Sequence, residues 1–156
     1  MDAGLTTTPH RDELTIGASG AEVRRASEWL SATCLQHDIP TVQAQRLEVC
    51  LNEVLANIIT YGGSTALATP IGLQLEFLCA VDAGEAHVTV SDAGFAFNPL
   101  LVQMPPRANN LAEARAGGLG LVMIRHYSDW LDYRREGGYN HFTFGTRWQP
   151  SAIGSL

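Results

Sequence analysis

Clustered basic charge is missing from this sequence, as are paired cysteines, regularly spaced histidines and any long uninterrupted apolar run. With a formal net charge of −6 and no run of Lys or Arg, the chain lacks the basic patch that nucleic acid or an anionic membrane surface requires. No direct nucleic-acid partner and no membrane partner are therefore expected. No stretch approaches the roughly 18 apolar residues of a membrane span. The opening "MDAGLTTTPHRDEL" has no apolar signal-peptide core, so a cytoplasmic location is expected. Cys34, Cys50 and Cys79 are widely separated and never form C-x-x-C, which fits reduced core thiols. The histidines show no H-x-x-x-H or paired Cys/His spacing, which disfavours zinc. If so acidic a chain binds a phosphate ligand, it must use backbone N–H groups and a metal ion rather than a field of lysines.

What is present suits one folded domain. The chain has 156 residues, 46% apolar and 17% charged, enough to bury a single core. Residues 1–13 are polar and read as a flexible N-terminus, and residues 149–156 read as a C-terminal tail. Between them, residues 14–148 read as the single domain. "LTIGA" suggests a short strand, and Val23, Ala26, Leu30, Thr33 and Cys34 recur at helical spacing in a helix from about Ala21 to Gln36, ended by "HDIP". Thr41 is placed to cap a second helix, whose stripe of Leu47, Leu51, Val54, Leu55, Ile58 and Ile59 runs until Tyr61-Gly62-Gly63 stops it.

Downstream, "IGLQLEFLCAV" and "AHVTVSD" alternate about a "DAGE" turn, which predicts an antiparallel hairpin whose second strand runs into Asp92. The irregular residues from Pro99 to Ala116 suit a functional lid. After "GGLGL", a helix is expected from about Leu119 to Asp129, then a final hairpin around Gly137-Gly138. Grouped rather than strictly alternating, these elements predict an α+β fold: a two-layer sandwich with a mixed, mostly antiparallel sheet covered by helices on one face.

Three polar stations interrupt this apolar pattern. Glu53 and Asn57 are four residues apart, so both project from one helix face, one turn from each other. Mg²⁺ keeps several waters and takes substrate phosphates, so one Asn oxygen suffices as a protein ligand and the carboxylate is free to act as a base. An isolated E-x-x-x-N also suits a solvated helix edge. Asp92 ends a strand and is followed by "AGFAFNP"; a carboxylate there, with Gly94 letting backbone crowd close, can accept a hydrogen bond from a purine amine while Phe95 or Phe97 packs beside the ring. A plain Asx turn is the alternative. "GGLGLVMI" puts glycines at the start of a helix, where phosphate oxygens can approach unpaired N–H groups. A flexible hinge or a plain N-terminal cap is the alternative, and the stretch is neither a Walker A sequence nor a G-x-G-x-x-G fingerprint.

Taken in order, E-x-x-x-N (Glu53, Asn57), D-x-G-x-x-F-N-P (Asp92, Gly94, Phe97, Asn98, Pro99) and G-G-L-G-L (Gly117 to Leu121) resemble the N, G1 and G2 boxes of the Bergerat-type, GHKL-type ATP-binding fold. The resemblance covers roughly residues 20–148. The phrase "GGLGLVMIRHYSDWLDY" most resembles the stand-alone serine/threonine kinases that act as anti-sigma factors in bacterial partner-switching systems. The resemblance implies ATP and Mg²⁺ as cofactors, Asn57 as the Mg²⁺ ligand and Asp92 as the adenine reader. Gly94 and Phe97 would complete the base end, and Gly117, Gly118, Leu119 and Gly120 the phosphate side. Glu53 would be the general base. It further implies a STAS-type anti-sigma-factor antagonist as substrate, a sigma factor as second partner, and a homodimer. Departures from the common pattern are Tyr61 where histidine is usual, Ala96 where glycine is frequent and Asn98 where aspartate is frequent. A non-catalytic binding module of the same fold and a slow ATPase without protein substrate are the alternatives.

Overall fold

The computed structural model describes residues 9–80, 83–98, 100 and 119–149. In chain order the elements are β1 (His10–Ile16), α1 (Gly20–Gln36), α2 (Thr41–Tyr61), α3 (Gly63–Ala68), β2 (Ile71–Cys79), β3 (Gly84–Asp92), α4 (Leu119–Tyr127), β4 (Trp130–Glu136) and β5 (Tyr139–Trp148). The strands form one five-stranded sheet in the order β1-β2-β3-β5-β4. Every pairing is antiparallel, so the described sheet holds no parallel pair. The expected lid, Pro99 to Ala116, lies outside the described residues.

Alternation fixes which face is inside. Ile71, Leu73, Leu75 and Phe77 of β2 and Ala86, Val88 and Val90 of β3 are buried beneath the helices, as are Phe142 and Phe144 of β5. Helices α1 and α2 close over them with Ala26, Leu30, Leu47, Leu51 and Leu55, and α4 adds Leu121 and Ile124. The other face carries cross-strand polar pairs. The Thr89 and Thr143 hydroxyls are 2.8 Å apart, and Ser91 Oγ lies 2.7 Å from His141 Nδ1.

Element ends show where local chemistry overrode the expected pattern. β1 begins at His10, within the stretch read as a flexible N-terminus. Its polar residues have partners: Arg11 Nε donates to Glu76 Oε1 at 3.0 Å, and Trp29 Nε1 donates to Asp12 Oδ1 at 3.2 Å. Ser19 caps α1, its Oγ accepting from the Glu22 N–H, while Glu22 reaches back to the Gly17 N–H at 3.0 Å. The hydrogen bond from Arg25 holds the Glu22 carboxyl down at about 2, and Arg25 also donates to Thr15 O, tying α1 to β1. Asp38 then takes a left-handed turn at φ 58°, letting Ile39 drop into the core.

Thr41 does not cap α2. The cap position is Pro40, whose carbonyl accepts from Ala44 N–H at 3.0 Å, so Thr41 is the first helical residue. The short α3 escaped the sequence reading because six residues hold too little periodicity. α4 stops at Tyr127, short of Asp129, because Ser128 caps the Ile124 carbonyl with both its N–H and its hydroxyl. Asp129 N–H then joins the sheet at Gly145 O, 2.7 Å away.

Two measurements test this core. Thr146 is 0% exposed and its hydroxyl meets no partner among the described residues. Thr146→Val should therefore raise the denaturant midpoint, by about 1 kcal/mol in unfolding free energy; an unchanged or lower midpoint would show that the hydroxyl is satisfied. Burial pushes the Cys34 and Cys50 thiols up from 9.0 to about 12. Folding thus favours their neutral forms, and that contribution is complete below pH 9.0 and lost as pH rises toward about 12. At pH 8, a thiol reagent should label half-buried Cys79 first and the other two only at the rate of unfolding.

Candidate nucleotide site

A cavity of about 310 Å³ opens where α2, α4 and the ends of β3 and β5 converge. Its wall includes Val54, Asn57, Ile58 and Tyr61 from α2, Leu121 and Ile124 from α4, and Asp92, Asn140 and Phe142 from the sheet. Phe95, Ala96 and Phe97 line it from the loop after β3, and Phe95 is 71% exposed. A mostly apolar pocket with a few convergent polar groups at this volume falls at the small end of ligand sites.

Asp92 is the polar centre. As the last residue of β3 it keeps inward parity with Val88 and Val90, so the strand delivers a carboxylate to the core face at only 6% exposure. A buried carboxylate needs donors. Oδ1 accepts from the Gly94 N–H at 2.9 Å and from Asn140 Nδ2 at 3.2 Å. Among the described residues no donor meets Oδ2, which leaves that oxygen for a ligand. Asn140 is the register partner of Asp92, brought opposite by the β3–β5 pairing.

The floor depends on three glycines. A Cβ at Gly94 would stand 2.8 Å from both Asp92 Oδ1 and the Gly62 carbonyl oxygen, and the Phe95 N–H donates to that same carbonyl at 3.1 Å. A Cβ at Gly62 would stand 2.5 Å from the Ile58 carbonyl oxygen. Gly63 has φ +85°, and the Phe95 ring packs where its side chain would be. The end of α2 and the loop after β3 therefore touch backbone to backbone, which no larger residue permits.

The residues singled out in the sequence fall into three groups. Asn57, Asp92 and Phe97 all line the cavity, and Gly94 lies beneath it as the close-contact residue. Glu53 is half-buried one turn before Asn57 and is not part of the cavity wall. Leu119 and Gly120 form the start of α4, while Gly117 and Gly118 lie outside the described residues. Asn140 was not foreseen. Its signal was available: Asn is depleted in strands, and this one shares inward parity with Phe142 and Phe144.

Along α2 the stations are spaced in order. Gly62 touches the loop after Asp92, Asn57 lies five residues back and Glu53 nine. At the rise of an α-helix, Gly62 to Glu53 spans roughly 13 Å.

The profile of the histidine kinase-like ATPase domain family matches residues 16–145, from the last residue of β1 into β5. The chain is 28% identical over 141 residues to the serine/threonine-protein kinase BtrW of Bordetella bronchiseptica, covering 90% of this chain and 96% of that protein. Among solved structures, a chain in the SiaB–SiaC complex from Pseudomonas aeruginosa superposes with a TM-score of 0.51 at 13% identity, over 87% of this chain and 89% of that one. That likeness is one of fold, the five-stranded antiparallel sheet under helices of the Bergerat type. With the family profile running through nearly every element, the chain belongs to the histidine kinase-like ATPase domain family.

Proposed function

We propose that this chain is an ATP-dependent serine/threonine protein kinase that acts as an anti-sigma factor, phosphorylating a STAS-type antagonist in a bacterial partner-switching system. The observation that carries the reading is the convergence of Asn57 and Asp92 on one cavity. The span of roughly 13 Å along α2 from Gly62 to Glu53 keeps the proton acceptor well apart from the base end of the cavity. The similar protein BtrW is called a serine/threonine-protein kinase, and SiaB is described in complex with a second protein, SiaC. Both descriptions favour a kinase that works on a protein partner. A homodimer and a sigma factor as alternative partner complete the scheme.

In this reading Asp92 Oδ2 accepts a hydrogen bond from the adenine amine, and the apolar wall of Val54, Ile58, Leu121, Ile124 and Phe142 encloses the ring. Phe95 and Phe97 close its exposed edge. Among the described residues no group of three His, Cys, Asp or Glu could hold a metal. A Mg²⁺ ion arriving with the nucleotide would need only one protein ligand, and the Asn57 amide oxygen would supply it. When bound, Mg²⁺ neutralises charge on the phosphates. All ten basic residues of the chain are arginines, so no lysine is available to the phosphates, and the N-terminal turn of α4 offers backbone N–H groups instead. Glu53, at the far end from the base, takes the proton of the substrate serine or threonine hydroxyl as that oxygen attacks the γ-phosphorus; the bond from that phosphorus to the β,γ-bridging oxygen breaks, and ADP leaves with the bond's electron pair.

Two substitutions test the assignment. In Asp92→Asn the internal bonds favour the amide with its oxygen toward Gly94 and Asn140, which sets an NH₂ group against the adenine amine. Calorimetry should show ATP binding weakened by about 10- to 100-fold in a folded protein. Glu53→Gln should still bind ATP but transfer phosphate to the antagonist about 10²- to 10⁴-fold more slowly. Equal transfer rates would remove Glu53 from the chemistry, and phosphate release without any protein acceptor would favour a simple ATPase.

A further inference from the structure

The Asn140 side chain is 6% exposed and both of its polar atoms are engaged. Nδ2 donates to Phe95 O at 2.8 Å and to Asp92 Oδ1 at 3.2 Å. Oδ1 accepts from the Tyr133 hydroxyl at 2.6 Å and from Arg135 Nη1 at 3.0 Å. Tyr133 and Arg135 both belong to β4, and neither lines the cavity. Arg135 Nη1 also donates to Gly94 O at 2.9 Å, so β4 grips both the amide and the loop that follows Asp92.

This pattern decides which way the amide faces. Turned over, its NH₂ would meet the hydroxyl and guanidinium donors, and its oxygen would meet the Asp92 carboxylate and the Phe95 carbonyl. The Tyr133 hydroxyl could adapt by accepting, but the contacts with Arg135, Asp92 and Phe95 O would all become like against like. With the amide held, Asp92 Oδ1 stays occupied by two N–H donors and only Oδ2 is offered to a ligand. A carboxylate with one free oxygen suits a single N–H, such as the exocyclic amine of adenine. The guanine edge presents N1–H and N2–H side by side, a pair best met by both oxygens of a carboxylate.

We propose that Tyr133 and Arg135, acting through Asn140, are positioning residues that restrict Asp92 to one accepting oxygen and so select adenine over guanine nucleotides. The inference rests on the ATP reading above and adds its specificity determinant. In the double variant Tyr133→Phe/Arg135→Met no cavity-lining residue is replaced, but Asn140 Oδ1 loses both donors and Gly94 O loses its bond from Arg135. Asn140 and the Gly94 loop, which supply the two donors on Asp92 Oδ1, are then held less firmly, and that oxygen can turn to meet a second N–H of the ligand.

Binding of Mg·ATP and Mg·GTP is measured by calorimetry for the wild type, the double variant and Tyr133→Phe alone, with thermal melts to identify folded protein. The wild type should prefer ATP. The ratio of GTP to ATP dissociation constants should fall by about tenfold or more in the double variant, and in the same direction but less in Tyr133→Phe. A merely structural role would weaken both nucleotides together and leave the ratio unchanged; that result in a folded double variant, or in Tyr133→Phe if the double variant unfolds, overturns the inference. A wild type that binds neither nucleotide overturns the ATP reading itself, and the inference with it.

Discussion

A carboxylate removed from water at the end of a core strand is the constraint around which this molecule is arranged. Asp92 could have been a core residue of β3 like Val88 and Val90, and replacing an apolar side chain there with a charge costs several kcal/mol unless donors are supplied. They come from distant parts of the chain: the Gly94 N–H two residues on, and the Asn140 amide across the sheet. Placing Asn140 opposite Asp92 requires β5 to lie beside β3, although α4 and β4 intervene in sequence. That crossover sets α4 against α2 and turns Leu121 and Ile124 toward the same cavity. Satisfying one buried charge and building the pocket are a single problem in this fold.

Helix α2 joins the two ends of the proposed reaction. Its last turn reaches Gly62, where backbone meets backbone across Gly94 and Phe95, and its middle carries Asn57 and Glu53. The helix is continuous over 21 residues and buries Leu47, Cys50, Leu51, Val54, Leu55 and Ile58 along one side. A rod anchored along that length cannot change the spacing between its stations without disturbing the core. Any adjustment to a ligand falls on the wall facing it.

Much of this was legible in the amino-acid order, for physical reasons that also explain the misses. Strong periodicity identified α1, α2 and the β2–β3 hairpin, because burial on one face imposes it, and the Gly137-Gly138 turn marked the second hairpin. Asp92 and Asn57 stood out because polar residues inside apolar runs need a reason, and both line the cavity. Asn140 carried the same kind of signal, but its meaning depended on which strand lay opposite, a long-range fact that local pattern does not contain. β1 was read too short because Arg11 and Asp12 look like loop residues until Glu76 and Trp29 are placed beside them. Thr41 looked like a cap by residue type, yet the preceding proline had already taken the position. The glycines at 117 and 118 lie outside the described residues, and Glu53 sits beyond the cavity wall, so their roles rest on motif and spacing.

The sheet order has one more consequence. Among the described residues its two edges are β1 and β4, and both are crowded with charge of either sign: Arg11, Asp12 and Glu13 on one, Arg134, Arg135 and Glu136 on the other. An unpaired strand edge is an invitation to another strand, and alternating full charges along it are a common deterrent. A foreign segment aligning there would have to lay its backbone among charged side chains and disturb their ion pairs, hydrogen bonds and hydration. The sheet is thereby discouraged from growing sideways into aggregates, and contact with other chains is left to the helices, the loops and the open face.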